Sequence, residues 1–103
     1  MDAINTIITK ESILAELRQL KPVFAQKYGV KRMGLFGSFV RGEERDDSDI
    51  DVVIECAAPD LFSLVHMKEI LEKDLHRPVD VIPYSSSMNG YLKARIQKEA
   101  EYV

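Results

Sequence analysis

The sequence predicts an α/β fold of the α+β type, a small mixed sheet of about three strands flanked by about four helices. Three observations carry this. Segments with apolar residues at helical spacing alternate with short β-branched runs such as Val52-Val53-Ile54 and Val79-Asp80-Val81-Ile82. Glycine and proline fall between these segments: Gly29, Gly37, Gly42, Pro78, Pro83 and Gly90. The chain of 103 residues, 46% hydrophobic and 30% charged, suits one compact domain over 1–103 with a modest core.

The first helix is expected over Thr9 to Tyr28. Ile13, Leu14, Leu17, Phe24 and Tyr28 recur at helical spacing, Thr9 is the N-cap, and Gly29 is the stop. Pro22 should kink this helix or divide it near Leu20. A strand follows over Lys31 to Phe36. Gly37-Ser38 then opens a brief helical turn through Arg41-Gly42, and Glu43 to Ser48 is a charged, exposed loop. The second strand spans Asp49 to Glu55, and its nearly continuous apolar centre places it inside the sheet, covered on both faces. Ala57 to Asp60 is a turn, with Asp60 capping a helix from Leu61 to Leu75. Pro78 leads into the third strand, which Pro83 ends. Ser85-Ser86-Ser87 is loop. A last helix from Asn89-Gly90 carries Leu92, Ile96, Ala100 and Val103 on one stripe.

Composition excludes several functions. A formal charge of −3 and a pI near 5.4 argue against direct, sequence-independent nucleic-acid binding, which draws on excess lysine and arginine. No apolar run reaches the roughly 18 residues of a membrane span. The segment Met1-Asp2-Ala3-Ile4-Asn5 lacks the basic and apolar parts of a secretory leader. Cys56 is the only cysteine, so no intrachain disulfide forms, and it reads as a small core residue. A cytoplasmic setting is expected. His66 and His76 have no second ligand at metal-binding spacing and read as structural. Tyr84, Tyr91 and Tyr102 read as packing residues, with self-modification the alternative.

The chemistry concentrates in one stretch: Gly37-Ser38, ten intervening residues, then Asp49-Ile50-Asp51. On a strand, Asp49 and Asp51 project from the same face. Two carboxylates roughly 4 Å apart repel by about 1 kcal/mol in water and about 4 kcal/mol near a protein surface. A divalent cation relieves that repulsion, whereas a solvated strand end is the plainer alternative. Asp80 is the one polar residue of its strand. If that strand neighbours the second, Asp80 joins the pair and completes a hard-oxygen site suited to Mg2+. Gly37 permits close backbone approach, and Ser38 adds a hydroxyl at a helix start, where unpaired N–H groups attract phosphate. Arg41, three residues on, either contacts phosphate or pairs with a loop carboxylate such as Glu44.

Leu35-Phe36-Gly37-Ser38-Phe39-Val40-Arg41-Gly42, then Ser48-Asp49-Ile50-Asp51, together with the tail Ile96-Gln97-Lys98-Glu99-Ala100, resembles the minimal nucleotidyltransferase (MNT) family of the DNA polymerase beta-type nucleotidyltransferase superfamily. The resemblance implies the nucleotidyltransferase fold and an enzyme that moves a nucleotide. It implies that Asp49, Asp51 and Asp80 hold two Mg2+ ions and that Asp80 helps deprotonate the acceptor. Gly37 and Ser38 would contact the nucleotide phosphates, with Arg41 at the recurrent Arg-Gly position. It further implies ATP as substrate and a HEPN-domain toxin as partner in a hetero-oligomer. This chain would then be the antitoxin, transferring AMP to a toxin tyrosine. Two alternatives stand beside it: neutralisation by binding alone, and a nucleotidyltransferase subunit that modifies a small-molecule hydroxyl.

Overall fold

The computed structural model describes residues 8–45, 47–58 and 60–103; the readings of Met1 to Asn5, of Asp46 in the charged loop and of Pro59 in the Ala57–Asp60 turn lie outside them. The elements run α1 (Lys10–Tyr28), β1 (Val30–Phe36), α2 (Ser38–Arg41), β2 (Ile50–Cys56), α3 (Leu61–Leu75), β3 (Val79–Pro83), α4 (Gly90–Glu99) and β4 (Glu101–Tyr102). The strands form one mixed sheet in the order β3-β2-β1-β4. β1 is antiparallel to β2 and to β4, while β2 and β3, joined through α3, are parallel.

Alternation along the strands sorts the core into two faces. Met33 and Leu35 of β1, and Ile50, Val52 and Ile54 of β2, pack with Ile13, Leu17 and Phe24 of α1 and Met67 and Leu71 of α3. The intervening positions face the other way, where Phe36 and Val53 pack under Ile96 of α4. A register irregularity between Val30 and Arg32 flips the alternation, so Val30 also reaches the α1/α3 side. β2 is internal and covered on both faces, as its apolar run requires.

Two expectations are narrowed by the structure. Of the kink or division expected at Pro22, the division near Leu20 is absent: α1 is one helix from Lys10 to Tyr28. The capping box between Thr9 and Ser12 fixes its start, with the left-handed Gly29 at its end. Leu17 and Phe24, on either side of Pro22, are both fully buried. Burial of both halves outweighs the single hydrogen bond that proline removes on an exposed face. The last helix stops at Glu99; Ala100 is extended, and Glu101–Tyr102 form a fourth strand. Gly34 permits this: a Cβ there would stand 2.7 Å from the Glu101 carbonyl oxygen. Ala100 packs with Ile96, while Val103 packs in the α1/α3 layer and donates its N–H to the Met33 carbonyl at 2.9 Å. Helical and extended patterns overlap over so short a tail.

Cys56 closes β2, half-buried against the α1/α3 layer. Burial, then the charge of Asp60, pushes its thiol pKa up, which disfavours the reactive thiolate.

Candidate active site

β2 carries Asp51 on the face of Val53, away from α1 and α3. The antiparallel register sets Asp51 opposite Phe36, the last residue of β1. The parallel register sets it beside Asp80 of β3. Three neighbouring strands therefore converge on one edge of the α4-side face. Ile96 covers that face at Phe36 and Val53 and leaves the edge open as a cleft of about 390 Å³. Asp49, Asp51 and Asp80 line it, together with Gly37, Ser38 and Arg41. The structure thus brings every sequence-nominated residue to one place.

Asp49 and Asp80 are exposed and Asp51 is half-buried. The Asp51 carboxyl is held above its ordinary value near 3.8, first by burial, then by the charges of Asp80 and Asp49, with Arg41 opposing. The neighbouring charge felt by Asp51 thus comes first from Asp80 on the adjacent strand and then from Asp49.

Gly37 closes this side of the cleft. Its φ of 87° and ψ of −150° belong to a region that L-residues avoid. A Cβ there would overlap Asp51 Oδ2 and stand 3.1 Å from Asp51 Cγ. Glycine is required both for the turn and for space beside the carboxylate. Past it, Val40 and Arg41 donate backbone N–H groups to the Gly37 carbonyl at 3.0 and 3.2 Å, so Ser38 and Phe39 open the turn.

The sequence reading missed Arg77, Arg95 and Glu99. Arg77 Nη1 donates to the Ser48 carbonyl at 3.1 Å and the Arg45 carbonyl at 3.4 Å, which ties down the chain entering Asp49. Its guanidinium lies 5.5 Å from the Phe39 ring centroid, joining that chain to α2. Arg95 lines the cleft from α4. Glu99 accepts from Arg41 at 3.1 Å and from Arg95 at 3.4 Å. Arg41 also reaches Glu43 at 3.0 Å, so its carboxylate partners are Glu43 and Glu99 in place of Glu44. Burial alone would raise the Glu99 carboxyl, but the hydrogen bonds from Arg41 and then Arg95 hold it below the ordinary value. The tail motif was the available signal, since it includes Glu99 and follows Arg95. Nothing local marks Arg77, whose partners lie about thirty positions earlier.

Among the described residues, no three carboxylate, imidazole or thiolate groups stand close enough to cage a metal ion by themselves. Mg2+ does not require such a cage. It binds through one or two carboxylates and takes its other ligands from water and substrate phosphate. The oxygen donors and the uncompensated charge around Asp51 fit that ion.

A family model described as a nucleotidyltransferase domain matches residues 17–103. The chain belongs to the nucleotidyltransferase family, in its minimal branch, and is an enzyme of that class. Among its relatives, protein adenylyltransferase MntA of Thermococcus cleftensis is 35% identical over 98 residues, which cover 94% of this chain and 98% of the relative. A solved structure provisionally described as a minimal nucleotidyltransferase superposes with a TM-score of 0.78 at 26% identity, covering 94% of this chain and 98% of that one. A solved complex of the tri-AMPylated Shewanella oneidensis HEPN toxin with MNT antitoxin matches at a TM-score of 0.67 and 17% identity, over 91% of this chain and 71% of that one; this likeness is one of fold. The α+β nucleotidyltransferase fold expected from the sequence is the fold observed.

Proposed function

We propose that this chain is a Mg2+-dependent protein adenylyltransferase. It transfers AMP from ATP to a tyrosine hydroxyl of a HEPN-domain toxin in the cytoplasm and acts as its antitoxin. The observation that carries the reading is the meeting of Asp49, Asp51 and Asp80 with the Gly37-Ser38 turn in one open cleft. The relative named protein adenylyltransferase and the fold shared with an MNT antitoxin support the donor and the partner.

The residues divide the work. The N–H groups and hydroxyl at Ser38 receive the phosphate tail, and Gly37 lets it approach. Asp49 and Asp51 would hold Mg2+, with Asp80 completing the set, and the ion when bound would supply positive charge against the triphosphate and the departing pyrophosphate. Asp80 takes the proton of an acceptor arriving from solvent, a role that its exposure on the edge strand β3 supports. The acceptor oxygen bonds to the α-phosphorus, the α–β bridging bond breaks, pyrophosphate leaves, and the proton passes to a carboxylate.

One observation favours neutralisation by binding alone. Leu61 and Phe62, at the start of α3, are 72% and 77% exposed, an apolar corner away from the cleft. The deciding experiment incubates the chain with the HEPN protein and MgATP and reads intact mass. The reading requires added AMP on the toxin and its loss with Asp49→Ala/Asp51→Ala. Full neutralisation by that double variant, with no mass gain by the wild type, hands the function to binding.

A further inference from the structure

The cleft has a second wall that the carboxylates do not explain. Arg41 comes from α2 and Arg95 from α4, far apart in sequence, and both line the cleft. Two guanidinium groups side by side repel, so something must hold them there. Glu99 does so. Its Oε1 accepts from Arg41 Nη1 at 3.1 Å and its Oε2 from Arg95 Nε at 3.4 Å. Glu99 does not line the cleft itself; it stands behind both arginines, with its side chain only 22% exposed. The Arg95 guanidinium carbon also lies 5.9 Å from the ring centroids of Phe36 and of Tyr91.

We propose that Arg95 is a nucleotide-binding residue that contacts the phosphate tail, and that Glu99 is the positioning residue that sets Arg41 and Arg95 side by side to receive it. The inference rests on the adenylyltransferase reading and deepens it. Glu99 and Glu43, which Arg41 also meets at 3.0 Å, together offset the two guanidinium charges, so the wall offers a ligand donors and not surplus charge. Arg95 meets Glu99 through Nε alone, and among the described residues its Nη groups make no other hydrogen bond or ion pair. Guanidinium N–H groups match phosphate oxygens, and these line the same cleft as Ser38, where the proposed function puts the phosphate tail beyond the α-phosphate. AMP has no such part.

The test is calorimetric titration of the full chain, with Mg2+ present, using ATP, AMP and inorganic tripolyphosphate as separate probes. Arg95→Gln and Glu99→Gln are the variants. Each is expected to weaken ATP and tripolyphosphate binding by about tenfold, the loss of roughly one charge-assisted contact, and to leave AMP binding unchanged. A general disturbance of the fold would weaken all three together. Should Glu99→Gln fail to fold, Arg95→Gln carries the test through the same ratio of ATP to AMP affinity. Unchanged tripolyphosphate affinity in Arg95→Gln, or an equal loss for AMP, overturns the inference and leaves the proposed function standing. Wild type that binds ATP but not tripolyphosphate overturns the inference alone; failure of the wild type to bind ATP overturns both.

Discussion

Gly37→Ala is the sharpest single perturbation of this cleft, because two separable costs fall on one atom. The first is conformational. Gly37 sits at φ 87° and ψ −150°, and forcing an L-residue into such a region costs about 1–3 kcal/mol. The second is steric. The added Cβ would overlap Asp51 Oδ2 and stand 3.1 Å from Cγ, so the carboxylate or β1 must move. Crowding of this kind costs about 1–3 kcal/mol in packed sites. Together they predict a loss of about 2–6 kcal/mol. For a domain of this size each kcal/mol lowers Tm by roughly 4–8 °C. Gly42 supplies the control. Its φ is 73°, and a Cβ there meets nothing within 4 Å. Gly42→Ala therefore bears only the left-handed backbone cost, about 1–2 kcal/mol. Guanidinium denaturation of both variants, with the Mg2+-dependent thermal shift of each, separates the two costs. Gly37→Ala should be the less stable, and it alone should lose the Mg2+ response. Equal midpoints for the two variants would show that the contact between Gly37 and Asp51 does not exist, and the account of the cleft would fall with it.

Asp51→Asn should raise stability at pH 7, since it removes a half-buried charge that two neighbouring carboxylates repel. The sign follows from linkage. A raised carboxyl pKa adds stability below the unfolded value near 3.8, and that stability is lost as pH rises through the folded value. The gain from Asp51→Asn should therefore vanish below that range in acid melts, and a gain that persists there contradicts the assignment. Saturating Mg2+ with ATP should raise Tm, with about 2.7 kcal/mol of stabilisation at a hundredfold excess over Kd. Asp49→Ala/Asp51→Ala should abolish that rise, and an undiminished shift would place the ion elsewhere. Arg77→Ala should cost about 1–3 kcal/mol by freeing the Ser48 carbonyl from its charged donor, and should speed amide exchange around Ser48. Unaltered exchange there would remove Arg77 from the support of Asp49.

The order of helices and strands as far as the last helix, the Gly37-Ser38 turn and the nomination of Asp49 and Asp51 were legible in the sequence. Each rests on short-range physics: apolar periodicity, glycine at a turn, and carboxylates two apart on a strand. The reading of Asp80 was conditional on strand adjacency, and only the sheet order supplied it, because parallel pairing of β2 with β3 is a contact between segments about thirty positions apart. The uninterrupted run of α1 through Pro22 was decided the same way, by burial of Leu17 and Phe24 against strands later in the chain. So was β4, whose extended backbone depends on the space left by Gly34. The arginine wall lies furthest from local inspection. Arg41 and Glu99 meet across 58 positions, and no periodicity within either segment encodes that meeting. Local sequence sets what each segment prefers to be; long-range packing sets which side chains face one another, and the chemistry of this cleft is made of such facing pairs.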